Sequence, residues 1–314
     1  MPRTTAPTSV IRLGEPFRGL LYAPFYLAES LGAYVAEGLA VRMTTAGTPA
    51  AAAEALLAGR LDVIWGGPMR VLHHHDLNPA CGLVLFAEAV TRDPFFLLGR
   101  EPRPDFDLRA LAGLRVGTVA EVPTPWLCLQ EDLRRLDCDP ANLQRVADAP
   151  MTDNVAALRA GTLDAVQLFE PLVEGLLADG AAHIWYAAAA RGATAYSSYY
   201  TTRPALARHE DAFLRMTRAL ARVLRWLRAH SAQEVAMAVA PWFPAVPAGR
   251  LAGAVGRYQA LGVWGAEPLL SPQGFARLKA SLLSSGFIAR DTAYETCVDT
   301  RLAHRIMAEA LPPL

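Results

Sequence analysis

One phrase occurs twice in this chain, as Ala55-Leu56-Leu57-Ala58-Gly59-Arg60-Leu61-Asp62-Val63 and as Ala157-Leu158-Arg159-Ala160-Gly161-Thr162-Leu163-Asp164-Ala165. In each copy an alanine- and leucine-rich helix ends at a glycine suited to the left-handed position after a helix. A Leu-Asp-hydrophobic step then opens a buried strand. A supersecondary unit built twice predicts two similar α/β lobes. Ligands of open α/β folds sit beyond the carboxyl ends of the strands, so two such lobes leave a crevice between those ends.

The 314 residues exceed the size at which one hydrophobic core keeps growing, and 53% hydrophobic residues are ample for two cores. The formal net charge is zero, which gives no global field to recruit nucleic acid or an anionic membrane. Lys279 is the only lysine, so Schiff-base chemistry has a single candidate. Cys81, Cys128, Cys138 and Cys297 lack the close spacing of a metal knuckle or redox motif, and neither a metal nor a cofactor is expected. No run approaches the roughly 18 apolar residues of a membrane span. Met1 to Ser9 is polar and no apolar run follows before Gly14, so a secretory signal is not visible in the sequence as written.

Hydrophobic patterning predicts strands over 10–14, 39–43, 61–65, 82–89, 94–99, 114–119, 143–146 and 163–168. Helices are expected over 24–30, 49–58, 68–75, 126–136 and 153–160, and a helical series runs from Pro204 onward with breaks at Pro241 and Pro244. The composition break Glu101-Pro102-Arg103-Pro104-Asp105 is the expected first crossing between lobes, and the β-prone run Tyr196 to Tyr200 the return. Two crossings imply a hinge. The predicted division is 1–98 with 200–314 for lobe 1, and 99–199 for lobe 2.

Several phrases in order resemble the alkanesulfonate, nitrate and thiamin-precursor group of type II periplasmic binding proteins. They are Ala23-Pro24-Phe25-Tyr26-Leu27-Ala28 with Gly32-Ala33-Tyr34 and Gly38-Leu39-Ala40-Val41, the first repeat, Leu111-Ala112-Gly113-Leu114-Arg115-Val116-Gly117, and the second repeat with Phe169-Glu170-Pro171. The resemblance covers nearly the whole chain. It implies an α/β fold of two open, doubly wound sheets joined by a two-crossing hinge. It also implies a monomeric binder, periplasmic where exported, that closes on a small solute and hands it to a membrane ABC permease. A cytoplasmic enzyme or solute sensor on the same fold is the alternative.

Candidate ligand contacts follow from position. Gly66-Gly67-Pro68 lies between a strand and a helix, where backbone N–H groups and the helix dipole hold anionic or polar groups, and Arg70 adds a fork of donors. A tight turn with a solvent-facing arginine is the plainer reading. Glu121, Thr124 and Trp126 occupy the matching loop of the second lobe; Thr124 as helix cap and Trp126 as core residue account for them without a ligand. Arg92, beside Asp93, and Tyr196, with Ser197 and Tyr199, fall near the crossings, although Arg92 and Asp93 can also pair with each other. The loop from Glu15 to Tyr22 faces the crevice, and Tyr22, Phe25, Trp65, Trp126, Tyr196 and Tyr199 are able to stack on a flat ligand or simply fill a core. Glu170, at a strand's carboxyl end, is placed to accept donors from a pyrimidine or amine, or to compensate a helix dipole.

Two motifs read as structural. His73-His74-His75-Asp76 puts consecutive histidines about 100° apart on a helix, whereas chelation from a helix needs the i, i+4 spacing. Arg215, Arg218, Arg222 and Arg225 recur at helical spacing and read as a solvated face.

Enzymes sharing the resembled fold make demands on residues. The yeast-type pyrimidine synthase uses a lysine and a following histidine at positions that fall on Gly66 and Arg70 here. The sulfinate desulfinase of dibenzothiophene breakdown uses a cysteine in the first strand-to-helix loop, and Glu15 to Tyr22 contains none. Without a lysine, cysteine or histidine in the crevice loops, nucleophilic mechanisms lack their usual agents, and binding is the favoured reading. An enzyme would have to use an acid–base pair such as Glu121 with Glu170.

Overall fold

A computed structural model of the chain describes residues 10–314; the polar start, Met1 to Ser9, lies outside the described residues. Ten strands form two five-stranded mixed sheets. The first contains β1 (Ile11–Glu15), β2 (Val41–Thr45), β3 (Val63–Gly66), β4 (Leu83–Val90) and β10 (Ser197–Thr202), in the order β2-β1-β3-β10-β4. The second contains β5 (Phe96–Gly99), β6 (Arg115–Gly117), β7 (Gln144–Val146), β8 (Ala165–Leu168) and β9 (His183–Ala187), in the order β7-β6-β8-β5-β9. In both sheets three parallel strands are followed by an antiparallel one, β10 or β5. Each antiparallel strand is the first one laid down after the chain crosses from the other sheet. The architecture is the expected α/β type II fold.

The repeated phrase does the same work in each copy. Helices α3 (Pro49–Leu57) and α6 (Met151–Ala160) end at Gly59 and Gly161, whose φ values of 70° and 75° are left-handed. The Asp62 carboxylate then accepts the backbone and guanidinium N–H groups of Arg12 in β1, at 2.8 and 3.0 Å. Asp164 accepts the same pair from Arg115 in β6, at 2.9 and 3.1 Å. The repeat aspartate therefore sets the register between β3 and β1 in one sheet and between β8 and β6 in the other.

The predicted crossing at Glu101 to Asp105 is corrected. Phe96–Gly99 pairs with β8 and β9, so the chain has already crossed at Thr91 to Phe95. It returns between β9 and β10, over Ala188 to Tyr196. Boundaries after residues 98 and 199 would therefore cut through β5 and β10. The reason is that a fully apolar run such as Phe96-Leu97-Leu98 fits the middle of either sheet, and only strand pairing decides which.

Helices α1 (Ala23–Ser30), α2 (Ala33–Ala36) and α4 (Pro68–Leu77) belong to the first sheet's units, and α5 (Thr124–Arg134) and α7 (Leu172–Ala178) to the second's. From Arg203 the chain is helical: α8 (Arg203–Arg208), α9 (Glu210–Ala229), α10 (Ala232–Val239), α11 (Ala248–Ala260), α12 (Pro272–Ser284), α13 (Tyr294–Cys297) and α14 (Arg301–Met307). α9 packs on α1, α2 and α14, while α11 reaches α7 and α12 reaches α5, bracing the second sheet's helices on both flanks. Among the described residues no helix is long and apolar enough to cross a membrane.

Of the four arginines expected on a solvated face of α9, Arg225 is exposed as its spacing predicts, whereas two are engaged by distant partners. Arg222 is 9% exposed and donates to Glu37 and to the carbonyls of Pro312 and Pro313, and Arg218 pairs with Glu37 and Glu309. The chain's end folds over this face, which no local periodicity reveals. The histidine tract is held by packing: the buried His75 meets the Leu83 carbonyl through Nε2 at 2.9 Å, and His73 lies against Phe287. All four cysteines are free thiols, and burial pushes Cys128 up to about 12.

Candidate functional site

A cavity opens between the two sheets. The loop after β1, the start of α3, the β3–α4 turn, the start of α5 and the two crossings with the first residues of β10 build it. Of the sequence candidates, Tyr22, Gly66, Gly67, Arg70, Thr124 and Tyr196 line it.

The β1–α1 loop is pinned from beneath. Glu15, at the end of β1, accepts Arg18 Nε at 2.7 Å, the Tyr26 hydroxyl at 2.5 Å and the Thr45 hydroxyl at 2.8 Å. Burial alone would raise its carboxyl, but these donors hold it below the usual value. Arg18 also donates to the Trp242 carbonyl and lies over the Tyr26 and Trp242 rings. The intervening Phe17 is thereby presented to the cavity, where its ring meets Tyr22 at 5.3 Å and, from the second lobe, Phe169 at 6.2 Å.

At the β3–α4 turn, a Cβ on Gly66 would stand 3.2 Å from the Tyr200 ring, so glycine lets that ring approach the strand. Gly67 caps α4 without a side-chain bond, and Pro68 begins the helix. Arg70 is half-buried in its first turn. Its Nε is shielded from solvent and has no hydrogen-bond partner among the described residues. The buried Tyr196 hydroxyl and Ser197 Oγ also lack partners among the described residues. Arg70, Tyr196 and Ser197 all line this cavity. A guanidinium and two hydroxyls left unpaired around one empty space are a prepared set of hydrogen-bonding groups, because buried polar groups are ordinarily satisfied.

On the facing side Pro123 is the cap residue of α5 and Thr124 its first helical residue, one position away from the expected cap. The Thr124 side chain makes no capping bond and lines the cavity with Val122. Trp126 turns the other way, into the second sheet's core with Leu97, Leu129 and Trp185, and Arg145 covers its ring at 4.5 Å. Phe95 and Tyr196, one from each crossing, complete the wall with their rings 6.1 Å apart.

Four sequence candidates lie elsewhere. Glu121 Oε1 accepts the Met151 N–H at 2.9 Å and so caps α6. Glu170 is fully buried, pairs with Arg257, and accepts the Glu174 N–H at 2.9 Å; its carboxyl is raised by burial, an effect that Arg257 opposes. Arg92 is exposed beside Gly262, and Asp93 pairs instead with the buried Arg191, which also binds Asp132. Trp126 is the fourth. Phe25, Trp65 and Tyr199 stack inside the first core. Glu121, Glu170 and Trp126 each turn from the crevice toward a partner distant in sequence. Phe17, Met69, Phe95, Ser197 and Tyr200 are lining residues not singled out as ligand contacts by sequence, apart from Ser197 within its crossing; Phe17 lay within the loop expected to face the crevice.

The lining contains no lysine, cysteine, histidine or carboxylate among the described residues. It has one cation, several hydroxyls and an apolar majority, a surface suited to holding a small anion rather than to nucleophilic chemistry.

Two sheets joined by two crossings around such a cavity have the fold of the type II periplasmic class. Residues 17–242 match the model of the NMT1-like family, and the chain belongs to it. It is 23% identical over 301 residues to the candidate binding protein YtlA of Bacillus subtilis, covering 95% of this chain and 90% of that one. Among solved structures it is similar to the periplasmic aliphatic sulphonate binding protein SsuA of Escherichia coli, with a TM-score of 0.75 at 16% identity over 93% of this chain and 92% of that one. It is also similar to a mutant of the desulfurization enzyme DszB in complex with biphenyl-2-sulfinic acid, with a TM-score of 0.68 at 16% identity over 95% and 98%. At these identities the structural likenesses establish the shared fold.

Proposed function

We propose that this chain is the solute-binding component of an ABC-type importer, capturing a small anionic organic solute between its lobes outside the cytoplasm and delivering it to a membrane permease. The observation that carries the reading is the unpartnered Arg70 guanidinium, facing an interlobe cavity with the unpartnered hydroxyls of Tyr196 and Ser197. A ligand bridging the β3–α4 turn and the start of α5 binds the closed arrangement better than an open one, which is the thermodynamic content of hinge closure. The binding roles printed in the names of YtlA and SsuA support the reading. DszB is an enzyme on the same fold, but here the cavity lining supplies no cysteine, and no histidine, lysine or carboxylate to activate its hydroxyls, among the described residues.

The test is a thermal-shift panel of carboxylates, sulfonates, nitrate, bicarbonate and aminopyrimidines on the purified protein, followed by chromatography of each hit. A stabilising compound recovered unchanged supports the binding role. A compound consumed over time replaces it with an enzymatic one.

A further inference from the structure

We infer that the cavity takes an aromatic monocarboxylate, its carboxylate on the Arg70 fork and its ring against the aromatic wall. This rests on the solute-binding reading and names the ligand class of that site.

The first argument is charge. Arg70 is the only charged side chain lining the cavity among the described residues. The nearby carboxylates are engaged: Glu15 with Arg18, Tyr26 and Thr45, and Asp93 with Arg191. One negative charge on the ligand balances the site. A cationic ligand would be buried beside a guanidinium, and a dianion would bring a second charge with no partner.

The second argument is the number and shape of the donors. Arg70 offers a planar fork that matches the two oxygens of a carboxylate side by side. A tetrahedral three-oxygen group needs donors from more directions, and helix starts commonly supply them. Here each start has lost part of this set. Pro68 occupies the first position of α4, and Arg70's own N–H is taken by the Gly67 carbonyl at 3.0 Å. Pro125 occupies the second position of α5, and the Leu127 N–H is taken by the Pro123 carbonyl at 3.1 Å. The Arg70 fork is the one charged donor lining the cavity among the described residues, with the Tyr196 and Ser197 hydroxyls free to meet a further polar substituent.

The third argument is the wall. Phe17 and Tyr22 reach the cavity from the β1 loop, and Phe95 and Tyr196 from the crossings. Phe169 of the second lobe contacts both Phe17 and Phe95, at 6.2 and 5.3 Å, tying the two groups together. A ring gains edge and face contacts here beyond the area it buries, which an alkyl chain does not.

Titration calorimetry at neutral pH with benzoate, para-hydroxybenzoate, benzenesulfonate, hexanoate, butanesulfonate, nitrate and an aminopyrimidine tests this. The expected result is that an aromatic carboxylate binds tightest, by about ten-fold or more over benzenesulfonate and hexanoate, and that Arg70→Lys removes about ten-fold of that affinity. Tightest binding by a sulfonate, hexanoate, nitrate or the aminopyrimidine, with heat lost in Arg70→Ala, overturns the aromatic-carboxylate assignment and leaves the solute-binding role standing. No binding by any probe overturns both.

Discussion

At the scale of single residues, burial without a partner separates the side chains that await a ligand from those that hold the protein together. Arg70 belongs to the first group, and Arg70→Ala is expected to weaken solute binding by about 1–3 kcal/mol while leaving the unfolding midpoint of the free protein nearly unchanged. Calorimetry beside a thermal melt checks both halves. Arg191 belongs to the second group, buried between Asp93 and Asp132 where the crossings meet α5. Arg191→Met strands two carboxylates and should cost about 3–5 kcal/mol of stability by denaturant unfolding, a loss that Arg191→Met with Asp93→Asn partly restores. Glu88, buried in β4, has one carboxyl oxygen without a partner among the described residues, and desolvation lifts its carboxyl well above the usual value. The folded protein then keeps a proton that the unfolded chain has released, so this group lowers stability as pH rises above the ordinary carboxylate range. Glu88→Gln should gain stability over the parent from about pH 5 to about pH 8, and a gap between their unfolding free energies that stays flat would refute this.

At the scale of elements, the repeat was legible because its pieces are local: a left-handed glycine after α3 or α6, then an aspartate at the foot of β3 or β8. The site elements were legible for the same reason, since a Gly-Gly-Pro step between strand and helix places Gly66, Gly67 and Arg70 at the strand's carboxyl end whatever else packs nearby. Trp126, Glu121 and Glu170 were not, because each sits at a helix start with a choice of two directions, and the partner that settles it is Arg145, the Met151 N–H or Arg257. α7 and β9 gave no clear local signal, being short pieces on either side of Gly180. Gly66→Ala tests the element-level reading of the β3–α4 turn. A Cβ pressed to 3.2 Å of Tyr200 must displace that ring, so binding should fall together with about 1–3 kcal/mol of stability, in contrast to Arg70→Ala, which loses binding alone.

At the scale of the whole molecule, the lobes meet in more places than the two crossings. Arg257 of α11 reaches Glu170, just before α7, and, at 2.8 Å, Glu174 within it, and Arg250 reaches Asp179 at 2.6 Å. α12 packs on α5 from the other side. Opening the cavity must loosen these braces. Arg257→Met is therefore expected to enlarge the ligand-free protein in solution scattering and to weaken binding, with saturating ligand returning the radius to that of the parent. Ligand at about a hundred times its dissociation constant should add roughly 2.7 kcal/mol to the native state, a shift of a few degrees in melting temperature.

The amino-acid sequence by itself determined what short-range rules control: two α/β units, the strand-to-helix turns that face one another, and a cavity loop set without a lysine or cysteine. Tertiary structure alone decided what depends on distant partners. Phe96–Gly99 joins the second sheet because β8 and β9 pair with it, Arg222 is covered because the chain's end folds onto α9, and Arg70 lines the cavity with its Nε unpaired because no carboxylate among the described residues lines that space beside it. Local sequence specifies which conformations a segment favours, but the side a polar group turns to is set by whichever partner satisfies it, and that partner is brought near only by the fold.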